Sequence, residues 1–181
     1  MTETDDAGVP ADVVDAFERH DAFDAVDDDR FALDTTAFDV LATASATDDE
    51  RAGSFTVTMA VPTLSASVAD ADDVADVVED GWFETFERRM ADAYDVAKTS
   101  DGTEPSLDRG VHEVDVELTY ESWTARDGVA DAKALAEYVE GTFLQGLVPG
   151  YDYVGVAADL RSAATQNAQG AESGDRSGTP L

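Results

Sequence analysis

The stretch HEVDVELTYE, residues 112–121, decides the fold class. Successive side chains of a strand point to opposite sides, so His112, Val114, Val116, Leu118 and Tyr120 share one face. Glu113, Asp115, Glu117, Thr119 and Glu121 share the other. Such alternation places one face in a core and one in water. A parallel sheet buried on both sides would read as a continuous apolar run, so the pattern predicts an antiparallel or mixed sheet covered on one side.

Working outward, the same period of two recurs upstream. Phe31 and Leu33 alternate with Ala32 and Asp34, and Phe38, Val40, Ala42 and Ala44 alternate with Asp39, Leu41, Thr43 and Ser45. A kink at Thr35-Thr36 separates the two runs. After a polar turn ending in Gly53, Phe55, Val57, Met59 and Val61 form a further strand, and the two longer runs predict a β-hairpin. Pro62 donates no hydrogen bond to a ladder, so the strand stops there, and 64–68 is expected to pair separately as a short strand. Residues 99–110 read as a loop.

Four segments carry the helical period of three to four. A first helix is expected over 11–20, with Pro10 suited to its first turn and Val13, Val14 and Phe17 on one face. Val74, Val77, Val78, Trp82, Phe86, Met90, Ala93 and Ala97 predict a long central helix, with N-cap candidates at 70–73. Gly81 inside it implies a kink or a close approach by the sheet. Val129, Ala132, Leu135, Ala136, Val139 and Phe143 mark a third helix after Gly128, and a fourth is expected over 153–164. The fold class is therefore α+β: a two-layer sandwich, with a mainly antiparallel sheet of three to five strands and helices on one face. Residues 9–165 are expected to form a single domain, and residues 1–8 and 166–181 to be disordered because they carry few apolar side chains.

Composition bounds the function. The 181-residue chain has no cysteine, so disulfides and thiolate chemistry are absent. Asp and Glu number 41 against 11 Lys and Arg, a formal net charge of -30, and lysine occurs only as Lys98 and Lys133. In dilute buffer this charge strains the compact state by self-repulsion, whereas at about 1 M salt the Debye length falls to roughly 3 Å and the strain nearly vanishes. The acids are spread between apolar segments, at 27–29, 48–50 and 70–73 among others, and so fit a solvated surface better than an interaction tail. The scattered basic residues offer phosphate no stripe, which argues against nucleic acid as a partner. No export signal and no apolar run long enough to span a membrane is present, so a cytoplasmic location is expected.

The Asp-Asp pairs, scarce Lys, abundant Ala, Val and Thr, and absent Cys resemble the cytoplasmic proteins of haloarchaea, and the chain resembles a haloarchaeal family of small acidic proteins of unknown function. The resemblance implies a halophilic protein working in a potassium-rich solvent, and it carries no catalytic residue. The element order is also similar to type III secretion chaperone-like folds, a likeness of architecture alone.

Signatures of phosphate loops, dinucleotide folds, zinc proteases, nucleophile elbows and EF-hands are missing, and no cofactor is expected. His20 and His112 are the only histidines. His112 reads as a partly buried residue at the margin of the apolar face, and His20 as a cation at a helix end. With so many carboxylates no acid-base pair stands out, and no catalytic or metal-binding residue is nominated. Trp123 follows the strand on its acidic side, beside Arg126, a composition suited to an interface anchor. The segment around Tyr151 and Tyr153 is more apolar than a surface turn needs. The leading expectation is a non-enzymatic interaction module that binds another protein or itself, as a homodimer, through Trp123, Arg126, Tyr151 and Tyr153 around one sheet edge. The alternative is a small-molecule-binding domain or enzyme with a pocket between sheet and central helix, near Trp82 and His112.

Overall fold

The computed structural model describes residues 8–98 and 102–174. The alternating segment forms β6, Glu113–Ser122, and its partners in the hairpin are β3, Val40–Ser45, and β4, Gly53–Pro62. Strand β4 lies between them, paired antiparallel to both. The register aligns Ala42, Val57 and Leu118 across three strands, and puts Phe55 beside Tyr120, their rings stacked at 5.5 Å. These side chains face the helices. Thr56, Thr58, Ala60, Asp115 and Glu117 face away, half-buried or exposed, on the side opposite the core.

The sheet has six strands, more than the three to five expected. Strand β2, Phe31–Leu33, pairs with β3, and two short strands add the edges: β1, Phe23–Ala25, and β5, Ser106–Arg109. The order is β1-β2-β3-β4-β6-β5, with every neighbouring pair antiparallel. Strand β5 occupies part of the stretch expected to be loop. Residues 64–68, expected to be a strand, instead hold a 3-10 turn at Ser65–Ser67, and only Val68 makes a β-bridge, to Tyr153. The cause is local: the Ser67 hydroxyl donates to the Thr63 carbonyl at 2.8 Å, and the Glu79 carboxylate accepts from the Leu64 and Ser65 N–H groups. Those groups are no longer available to a ladder.

The helices are α1, Ala11–Glu18; α2, Asp76–Met90; α3, Ala125–Gly146; and α4, Gly155–Gly174. The helix at the centre is α3. It packs against α1, α2, β4 and β6 and buries Val129, Leu135, Val139 and Phe143. Its start is fixed by Thr124, whose hydroxyl accepts from the Asp127 N–H at 3.1 Å. The segment expected to be the central helix is shorter: α2 ends at Met90, followed by a 3-10 turn at Ala93–Val96. It buries Trp82, Phe86 and Met90, but leaves Val77 77% exposed. Gly81 is exposed with no neighbour near its missing Cβ, so it marks no approach to the sheet.

Two aromatic groups knit the layers. Phe17 of α1 stacks on Phe31 at 4.2 Å and meets Phe23 edge-on, and Phe143 of α3 meets Phe38 and Trp82 edge-on. Helix α4 continues to Gly174, through part of the stretch expected to be disordered, with residues 161–171 all exposed. Residues 1–7 and 175–181, where disorder was also expected, lie outside the described residues.

Candidate functional site

Strand β6 ends at Ser122 and α3 begins at Ala125, so Trp123 sits in the short connection between them. It is 61% exposed, although it is one of the largest apolar side chains in the protein. Its ring is held by Arg51, whose guanidinium carbon lies 4.9 Å from the ring centroid. Arg51 is itself fixed, by Glu121 at 2.5 Å and Asp49 at 3.4 Å. The pairing arises from sheet register: Gly53 opposes Ser122, and the Ala52 N–H donates to the Ser122 carbonyl at 2.9 Å. The arginine over the Trp123 ring is thus Arg51, while its sequence neighbour Arg126 lies exposed on the first turn of α3. Only the fold brings Arg51 there, and no local signal announces it.

Tyr151 and Tyr153 lie beyond the other end of α3. The 22 residues of that helix rise about 33 Å. The four nominated interface residues therefore form two separate patches, not one sheet edge. Tyr153 is buried, its hydroxyl donates to the Val148 carbonyl at 2.7 Å, and burial raises the pKa of its phenol above the usual value. Tyr151 is half-buried and meets Tyr153 edge-on. Arg161 of α4 lies over Tyr153, with its guanidinium carbon 4.9 Å from the ring centroid.

None of the hollows described among these residues is lined by Trp82 or His112. Trp82 is buried, stacked on Phe86 with 5.7 Å between centroids, and its indole N–H has no hydrogen-bond partner among the described residues. His112 is exposed in the turn between β5 and β6, so it does not belong to the apolar face on which the alternation placed it. Strand pairing begins one residue later, at Glu113.

One buried polar group stands out in the core. Asp131 on α3 is 2% exposed and accepts from the Lys98 N–H at 2.8 Å, anchoring the chain after the 3-10 turn. Near it Tyr120 donates to the Gly128 carbonyl at 2.6 Å, and burial, followed by the charge of Asp131, pushes its phenol well above the ordinary range. Among the described residues no group of three or more His, Asp or Glu is arranged to hold a metal ion, and no helix is long and apolar enough to cross a membrane.

An antiparallel sheet with helices packed on one face defines an α+β protein, with an exposed tryptophan under an arginine at the end of β6. Residues 18–163 match a family of unknown function (DUF5813), and the chain belongs to that family. No curated protein and no solved structure matches it.

Proposed function

We propose that the protein is an interaction module, working in the potassium-rich cytoplasm of a halophile, that uses Trp123 to dock a protein partner. The observation that carries this reading is the exposure of Trp123 under the guanidinium of Arg51, which is ion-paired to Glu121. A tryptophan held in place before contact loses little conformational freedom on binding, and large aromatic side chains dominate the energy of protein interfaces. Electrostatic contacts are weak in concentrated salt, so an apolar anchor suits that solvent. The net charge of -30 supports the halophilic part of the reading. The partner is another protein or a second copy of this chain.

The test is affinity capture from a high-salt lysate, with the wild type and Trp123→Ala as parallel baits, washed at about 2 M KCl to screen charge contacts. Light scattering of each purified bait reports self-association. Truncating the anchor is expected to weaken the contact by about 2 kcal/mol or more, roughly 30-fold in Kd. The same partners and the same oligomeric state for both baits would refute the proposal.

A further inference from the structure

The hollow between α4 and the loop after α3 has a charge balance unlike that of the acidic hollows elsewhere. It measures about 460 Å³, within the size range of small-molecule sites. Tyr151, Asp152 and Tyr153 form one wall, and Arg161, Gln166 and Gln169 face it from α4. One carboxylate is thus matched by one guanidinium, in a chain with 41 acids and 11 bases. Other hollows keep the general excess. On the sheet face opposite the core, Asp39, Asp108, Asp115 and Glu117 gather with no cation, and between α2 and β5 three glutamates face Arg88 alone. Beside Thr63, the acids Asp76, Glu79 and Asp80 face Arg109.

Its walls are also built to hold shape. The loop is pinned by hydrogen bonds from the Ala69 N–H to the Asp152 carbonyl and from the Val154 N–H to the Ser67 carbonyl, each 2.9 Å. Arg161 takes part in none of the ion pairs among the described residues, and lies instead over the Tyr153 ring. A guanidinium placed over a ring can still present its N–H edge to a planar carboxylate, with which it makes bidentate hydrogen bonds. Tyr151, set at 78° to Tyr153, offers a second aromatic surface beside it.

We propose that this hollow binds a small aromatic carboxylate, with the carboxylate on Arg161 and the ring against Tyr151. The site lies at the opposite end of α3 from Trp123 and does not depend on the interaction described above. Benzoate is a suitable probe, titrated into isotope-labelled protein in about 2 M KCl and followed by amide chemical shifts. Saturable shifts are expected at 151–153 and along 161–169, with affinity about tenfold weaker in Arg161→Ala and in Tyr151→Ala. Arg161 is exposed and Tyr151 is half-buried against the core, and the spectra themselves report whether each variant keeps the fold. Cyclohexanecarboxylate should bind more weakly than benzoate. Absence of saturable shifts, the same affinity in both variants as in the wild type, or no preference for the aromatic ring would overturn the proposal.

Discussion

Gly128 sits where a Cβ would come within 2.2 Å of the Phe55 ring, whose side chain is fully buried and stacked on Tyr120. Gly128→Ala is therefore expected to destabilise by about 1–3 kcal/mol despite alanine's better helix propensity. Gly81→Ala, on an exposed helical turn with open space around it, should instead stabilise by about 0.5–1 kcal/mol. Thermal melts of the two variants check the opposite signs. Tyr120 gives a pH-dependent prediction. Its folded pKa lies above the ordinary phenol value of 10.0, so the stability it contributes is intact below that value and is lost as pH rises through the folded pKa. Tyr120→Phe should cost about 1 kcal/mol near neutrality, by losing the bond to Gly128, and should flatten the alkaline limb of a stability-against-pH curve. The sequence put Trp123 on the acidic face of an unbroken strand, but β6 ends at Ser122 and leaves it in the connection to α3. It did not reveal Arg51, which reaches the ring only through pairing between β4 and β6.

At the scale of elements, strands β2, β3, β4 and β6 were legible and the two edge strands were not. Strands β3, β4 and β6 span enough residues for alternation to show, whereas β1 and β5 have three and four residues and owe their pairing to an existing neighbour. Periodicity also overran the end of α2 and placed Val77 inside, because apolar spacing does not say which helix face meets the sheet. Glu79 couples α2 to the turn after β4 through the N–H groups of Leu64 and Ser65. Glu79→Ala leaves those donors without a partner, with Leu64 fully buried, and is expected to cost about 1–3 kcal/mol in a chemical denaturation experiment. The start of α3 responds to acid. Hydrogen bonds from Lys98 and then Thr124 hold the Asp127 carboxyl below its usual pKa, so the stabilisation is present above the ordinary carboxylate range and lost as pH falls through the folded pKa. The melting temperature of Asp127→Asn should lie slightly below wild type at pH 7, with the gap closing in acid. High salt should narrow the gap, since the Lys98 pair is exposed.

For the whole molecule, the acid excess and the core set opposite demands. The core runs from Val13 to Ala157 and draws on every helix and the whole covered face of the sheet, but a net charge of -30 works against compaction in dilute buffer. Cooperative folding is expected to need about 1 M KCl, and a full circular dichroism signal with a sharp melt in salt-free buffer would contradict that. Composition made this property readable, whereas the relation between distant surface groups was not, because α3 separates the two patches that looked like one. The central claim concerns the patch at Trp123, and fluorescence tests it most directly. In a Trp82→Phe protein, Trp123 is the sole indole, and its quenching by acrylamide can be compared in the free protein and in the complex recovered by capture at high salt. The interaction reading predicts strong quenching when free and marked protection in the complex. Equal quenching in both states would show that Trp123 stays in water when the partner binds, and would contradict it.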